Sequence, residues 1–427
     1  MFQTLANAWK IPDLRKKILF TVLLLVVFRF GSVIPVPGLD KGALQALASD
    51  SNSLFGFFDT ISGGAFSNAT IFAMSITPYI NSSIIMNLLT VAIPALERLA
   101  KEGEEGRKKI AQYTRYGTII LAFIQAAGLY AALQNSVAKP GIISFITITL
   151  TFTAGTSFLM WLGEQITDKG IGNGISLLIF TGIISRGGDG INSMISFMQG
   201  YNYSFWSILG VIAFLVLAVL IIGFVVLIND GERRIPVQYA KRVQGRKMFG
   251  GQSTHIPLKV CMAGVIPIIF AMSILSFPPT IATLFSVNPQ PGTFWYGFMR
   301  LFQSNSWFYG IVYFLLIIFF TYFYTAIQFN PIEMSNNMKK NGGFIPGIRP
   351  GKPTSDYIAN VLSRVTLCGA FFLAIIAVIP IFMNLGLHIS NFSIGGTSLL
   401  IVVGVALETV QNMESQMLMR HYKGFLE

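Results

Sequence analysis

The chain has 427 residues, 53% of them hydrophobic and only 11% charged, with a mean hydropathy of +0.63. Soluble domains carry about 25% charged residues, so a fold clothed in water-facing Lys and Glu is excluded, and the long apolar runs describe an all-α polytopic membrane protein. Thirty Lys and Arg against eighteen Asp and Glu leave a net charge of +12, which in a soluble protein would point to nucleic acid; here the meaning depends on where the cations lie.

A bilayer core of about 30 Å takes roughly 20 apolar residues per helix. The first run, 18–34, follows Arg15, Lys16 and Lys17 as a secretory signal would. No small-residue cleavage site is present, and Arg29, Pro35 and Pro37 come instead, so it reads as a retained span. Residues 56–66, GFFDTISGGAF, are too short to cross. Further spans are predicted at 71–93, 117–133, 143–163, 172–186, 205–228, 260–285, 307–327, 365–385 and 396–415, of which 172–186 is short and glycine-rich. Trp161 closes one span, and Trp206 and Trp307 open two others, where indole rings favour the headgroup boundary.

The Lys and Arg residues gather in four segments: 1–17, 97–116, 229–258 and 328–364. The alternate loops hold only Lys41, Lys139, Arg186 and Arg300. Cytoplasmic loops carry the positive excess. If 172–186 did not cross, the basic loop at 229–258 would fall outside, so ten crossings with both termini in the cytoplasm is the consistent arrangement. Five spans per half is an odd number, so two similar halves, 1–190 and 205–427 joined by an external connection at 191–204, must be inverted copies with a working site between them. Span counting alone carries this symmetry.

Reactive chemistry is scarce at depth. Cys261 and Cys368, the two cysteines, both fall in apolar runs and form no CxxC site. His255 and His388 lie near loops and His421 in the tail; the sequence has no HExxH, GxSxG or GxxxxGK[ST]. Glu164 and Glu408 read more readily as boundary carboxylates than as proton carriers. No catalytic residue, cofactor or metal is expected, and any energy comes from a partner.

Long ordered motifs then become specific: FRFGSVIPVPG at 28–38, SGGAFSNATIFAMSITPYI at 62–80, KEGEEGRKKIAQYTRYGT at 101–118, MWLGEQITDKGIGNGIS at 160–176, YAKRVQGRK at 239–247, QSTHIPLKVCMAGVIPIIF at 252–270, FIPGIRPGKPT at 344–354 and GGTSLLIVVGVALE at 395–408. They resemble the SecY family, the central subunits of the bacterial Sec protein translocation channel (the SecYEG translocon), from about Lys16 to Tyr422. The resemblance implies ten helices in two inverted five-helix halves and a multi-pass place in the bacterial plasma (inner) membrane. It also implies a channel for unfolded secretory polypeptides that releases hydrophobic segments sideways into lipid.

By the same resemblance a pore ring is matched by Ile76, Ile80, Ile175, Ile179, Ile269 and Ile401. The pairs 76/80 and 175/179 have i, i+4 spacing, which places each on one helical face. Ordinary core packing would explain any one of these isoleucines; six matches to one family pattern favour the ring. The plug matches 56–66 as a short half-helix, with Phe58 and Ile61 toward the ring. Composition alone leaves a plain external loop equally open there. The lateral gate matches Ile80, Met86, Asn87 and Thr90 against Cys261, Ile266, Ile269 and Met272, with Pro78 and Pro267 expected to permit bending. Cys261 departs from the asparagine of many relatives, and its thiol is the weaker hydrogen-bond partner.

Arg246, Lys247 and Arg349 match positions that dock the ribosome and the SecA motor ATPase on flexible cytosolic loops. A solvated basic face attracting anionic lipids would explain most of that charge without docking. Implied partners also include small SecE-like and SecG-like subunits and the translocating polypeptide with its signal sequence. The rivals are a secondary transporter for a small solute, which needs a polar midplane site, and an intramembrane protease, which needs a nucleophile with a base or paired aspartates at depth.

Overall fold

The computed structural model describes residues 2–39, 41–48, 59, 62–133, 137, 139–200, 205–239, 242–244, 247–249, 253–284, 297, 301–302, 306–387 and 396–423. In chain order the elements are α1 (Phe2–Lys10), α2 (Pro12–Gly31), α3 (Lys41–Ala48), α4 (Thr77–Ala92), α5 (Pro94–Lys101), α6 (Glu104–Ala132), α7 (Ile142–Lys169), α8 (Gly174–Ser185), α9 (Gly187–Gly200), α10 (Phe205–Asp230), β1 (Glu232–Tyr239), β2 (Arg242–Gln244), β3 (Lys247–Phe249), β4 (Ser253–Lys259), α11 (Ile266–Leu284), α12 (Trp307–Gln328), α13 (Pro331–Lys340), β5 (Gly343–Phe344), α14 (Lys352–Leu387) and α15 (Gly396–Lys423).

Ten helices fall on the ten predicted spans: α2, α4, α6, α7, α8, α10, α11, α12, α14 and α15. By length and apolarity alone, four stretches among the described residues suffice to cross a membrane: Ile142–Lys169, Ile208–Asp230, Trp307–Lys340 and Lys352–Ile379. The others are short or carry charge at one end. Helix α8 has 12 residues, and α6 opens on EEGRKK. The extreme of apolarity is α10, whose Val219 and Leu227 are 68% and 73% exposed. Isolated from lipid such a surface would be unstable in water.

Helix α4 starts later than the predicted span. Residues 65–76 form turns instead, with Ala69 (φ 51°) and Ser75 (φ 52°) in the left-handed region. Irregular backbone is tolerated at membrane depth only where protein covers it. Phe66, Ala69, Thr70, Phe72, Ala73 and Ile76 are accordingly no more than 2% exposed. Their amides find partners inside the chain: Ile71 N–H donates to Ile34 O at 3.1 Å, and Val36 N–H to Ala69 O at 2.8 Å. Phe72 stacks between Phe28 and Phe158, with ring centroids 6.1 and 6.0 Å away.

The expected proline bends are corrected. Pro78 sits in the first turn of α4 and Pro267 is the second residue of α11. In a first turn the missing N–H removes no helical bond, so both prolines start helices rather than bend them. The sharp break comes at Pro94, where α4 and α5 meet at 100°. Helix α5 is exposed along most of its length and carries an i, i+4 pair, Lys101 Nζ to Glu97 Oε1 at 2.6 Å. That hydrogen bond holds the Glu97 carboxyl below its ordinary pKa.

The two basic segments expected to be flexible loops pack together instead. Strand β1 pairs antiparallel with β4 from Glu232↔Lys259 to Gln238↔Ser253, and β5 adds to its other side, giving the order β4-β1-β5. Ile235, Val237, Leu258, Met338, Ile345 and Ile358 form a separate apolar core beneath this sheet. The period-2 alternation of ERRIPVQY, with Ile235 and Val237 inward, makes β1 a half-buried strand.

Close helix contact in the N-terminal half depends on glycine. A Cβ on Gly155 of α7 would collide with the backbone carbonyl of Ile71, whereas one on Gly223 of α10 would meet nothing within 4 Å. Gly155→Ala should therefore lower thermal stability in detergent by about 1–3 kcal/mol, measured by a shift in unfolding midpoint, and Gly223→Ala should leave it unchanged or slightly raised.

Candidate functional site

The largest apolar cluster gathers where residues from both sides of 191–204 meet. Ile76, Ile80, Ile179 and Ile401 are buried in it, and Ile175 and Ile269 pack against it half-buried. All six residues matched to a ring thus share one cluster, drawn from the start of α4, α8, α11 and α15.

Local structure sets each position. Ile76 precedes α4 as its N-cap residue, yet Ile80 N–H still donates to Ile76 O at 3.1 Å, so the i, i+4 register holds across the cap. Asn173 caps α8 by accepting from Ile175 N–H at 3.1 Å and Ser176 N–H at 3.4 Å, which fixes where Ile175 begins the helix. A Cβ on Gly163 would strike the end of the Ile175 side chain, which here lies directly on the bare backbone of α7. A cap and a glycine therefore set where Ile175 lies, and all six matched side chains are aliphatic.

The residues matched to a gate divide. Helix α11 packs against both α4 and α6. Ile80, Ile266, Ile269 and Met272 belong to or pack on the main cluster, whereas Met86, Asn87 and Thr90 lie further along α4, half-buried and outside it. Thr90 Oγ1 donates back to Met86 O at 2.7 Å. Cys261 is not on α11. It lies buried in the turn before α11, and its Sγ donates weakly to Gly264 O at 3.5 Å.

That turn borders a cavity of about 190 Å³ lined by Cys261, Ile266, Leu400 and Glu408 among others. Lys259 at its edge donates to Gln411 Oε1 at 2.6 Å. Glu164 is engaged elsewhere, accepting from Arg115 Nε at 2.7 Å.

Of the residues matched to a plug, Phe58 and Ile61 lie outside the described residues; within 56–66 those described are Asp59 and 62–66. Ala65 of this stretch is fully buried and joins the main cluster beside Ile76 and Ile179. Among the basic positions, Arg246 also lies outside, and Lys247 falls in β3 with its side chain undescribed. Arg349 is exposed in the turn between β5 and α14, where its carbonyl accepts from Thr354 Oγ1 at 2.8 Å.

Sequence reasoning missed one feature. Asp59 is 1% exposed and organises the turn around itself: its Oδ1 accepts from Ser67 N–H at 2.8 Å, and its carbonyl accepts from Gly64 N–H at 2.9 Å and Ser62 Oγ at 3.1 Å. Its Oδ2 faces Arg186 Nη1 at 2.8 Å, an ionic contact without an aligned hydrogen bond. From the other side Arg29 Nη1 donates to Gly63 O at 3.2 Å. Gly63 has φ +67°, and a Cβ there would press on Ser185 Oγ and Gly182 O of α8. The available signal was Arg186, one of the few cations in the weakly charged loops that alternate with the basic segments.

Comparison with known proteins places this geometry. The SecY family profile matches residues 70–410. Protein translocase subunit SecY of Halalkalibacterium halodurans is 49% identical over 435 residues, covering all of both chains. Two solved structures share the fold at lower identity. One, at 18% identity and a TM-score of 0.62 over 94% of this chain and 92% of the other, is a SecY protein whose plug domain stabilises the closed state of the translocation channel and maintains a membrane seal. The other, at 17% identity and a TM-score of 0.60 with the same coverage, is Sec61 in the canine ribosome-channel complex from the endoplasmic reticulum.

Proposed function

The chain belongs to the SecY family, and from that premise we propose that it is a passive, gated polypeptide conduit worked by its partners. It is a multi-pass membrane protein and a protein-conducting channel subunit. In our reading it sits in the bacterial plasma membrane with both termini cytoplasmic, catalyses no reaction, and divides into halves 1–190 and 205–427. The observation that carries the conduit is the convergence of Ile76, Ile80, Ile175, Ile179, Ile269 and Ile401 in one apolar cluster between those halves.

The chemistry of that waist suits the task. A constriction of aliphatic side chains excludes water and ions by dewetting. Isoleucine is stiff at χ1, so the collar keeps its shape, while contacts that lack direction discriminate poorly between client sequences. A polar or charged solute finds no partner there, and nothing among the described residues favours the small-solute rival.

Sideways release follows from the seam between α4 and α11. At the membrane centre a leucine-like residue gains about 0.3–0.6 kcal/mol, whereas Asp, Lys or Arg costs about 2.5–3.5. Summed along a passing segment, this difference decides between lipid and the far side. A wall of two packed helices that part along one seam lets the segment sample both.

Small SecE-like and SecG-like subunits, a ribosome and the SecA ATPase complete the assembly. The cytosolic sheet with Arg349 beside it offers exposed cations, which suit ribosomal RNA phosphates and acidic patches on the motor. Anionic lipids bind the same basic face.

In a complex holding a stalled secretory chain, cysteines placed at Ile80 and Ile179 should crosslink to that chain; crosslinks confined to external loops would sink the conduit. Replacing Ile80, Ile179 and Ile269 with serine should wet the waist and raise resting ion conductance in planar bilayers at least severalfold. Unchanged conductance would remove the dewetting seal. Arg349→Glu should reduce SecA-driven export more than ribosome-driven insertion, and equal loss of both would count against a docking role.

A further inference from the structure

We propose that the Asp59–Arg186 ion pair sets how hydrophobic a segment must be before the channel opens to it, making these two residues determinants of client specificity. This rests on the conduit described above and on the stretch around Asp59 acting as its plug.

The starting point is what a client replaces and what it does not. Ala65 lies in the same apolar cluster as Ile76, Ile179 and Ile401. When a hydrophobic segment enters and the plug leaves, the segment substitutes its own methyl groups for those contacts, and the exchange is nearly balanced. No apolar segment offers a partner to a carboxylate or a guanidinium. The pairing of Asp59 with Arg186 at 2.8 Å is therefore the part of the closed state that the client cannot reproduce. Hydration repays some of it once the plug moves, and the remainder stands as a threshold.

The surroundings make the pair one-sided. Asp59 is 1% exposed at its side chain and Arg186 is 28% exposed. The carboxylate is fixed by Ser67 N–H, and the plug turn is held from α2 by Arg29 on Gly63 O. Removing one member of a buried pair leaves the other charge stranded, which is worse than replacing both. Stranding the enclosed carboxylate should be worse than stranding the guanidinium, which reaches water.

That asymmetry gives the test. Full channel complex in proteoliposomes would carry Asp59→Asn, Arg186→Gln or both. The readout is the ratio of export of a client with a charge placed in its signal core to export of the same client with an intact signal. The Asp59→Asn change keeps a side-chain oxygen for Ser67 N–H, so it removes charge without uncapping the turn. Arg186→Gln should raise the ratio most, by about a hundredfold or more if a stranded carboxylate costs what other broken buried pairs do; Asp59→Asn should raise it less, and the double variant should fall back toward Asp59→Asn. Arg186→Lys should stay near the native ratio, as should the distant exposed control Glu97→Gln. Additive effects in the double variant, or a ratio unmoved by both single changes while export continues, would overturn the latch and leave the conduit standing. A native complex that exports neither client would remove both.

Discussion

Hydrocarbon offers a backbone amide no water, and most of this structure follows from that one constraint. Every N–H and C=O at depth must be satisfied within the chain, which makes helices the default and irregular backbone an exception that needs cover. The exception here is confined to 65–76, where turns and left-handed residues replace the first part of the second span. It survives because α2 and α7 enclose it, with Phe72 stacked between Phe28 and Phe158 and Gly155 stripped of a side chain to let the backbones touch. The irregular stretch delivers Ile76 to the start of α4, and so the place where the helical rule is relaxed adjoins the main isoleucine cluster.

Two kinds of contact meet in this region. The isoleucine cluster is non-directional, and its contacts can be exchanged for those of a client at little cost. An ion pair is local and cannot be exchanged by apolar groups. A channel held only by the first would yield to many sequences, and one held only by the second would leak when the pair parted. The structure carries both within one contiguous region, linked through the stretch that places Asp59 against Arg186 and Ala65 against the isoleucines.

The helical frame was legible because hydropathy and charge position are one-dimensional properties: ten runs and four basic segments are visible without knowing any contact. The family motifs added which isoleucines converge, although nothing in the spacing of Ile269 and Ile401 alone tells that they meet Ile179. What stayed hidden depended on neighbours. Pro78 and Pro267 look like kinks in a continuous span and become helix starts only once the true ends of α4 and α11 are known. The Asp59–Arg186 pair joins residues far apart in the chain, and only the rarity of a cation at Arg186 marks it in the sequence, with nothing to name its partner. The β1–β4 ladder was readable in principle. RRIPVQ and STHIPLK both alternate apolar with polar residues, but a charge-rich segment between two spans invites the assignment of loop.

That ladder also bears on how partners could act on the waist. Strand β4 ends at Lys259 and α11 begins at Ile266, so only the turn at 260–265 separates the basic sheet from the helix that carries Ile266, Ile269 and Met272. The turn is tied down rather than slack: Val260 N–H donates to Gly231 O at 2.8 Å, and α14 presses so close at Gly369 that a Cβ there would collide with the Val260 carbonyl. Met262 of the same turn packs on the core beneath the sheet, as does Val361 of α14. A flexible linker at this point would absorb any load borne by the sheet. A hydrogen-bonded turn held between the residue before β1 and α14 would instead pass such a load to the start of α11, which packs against α4 and α6.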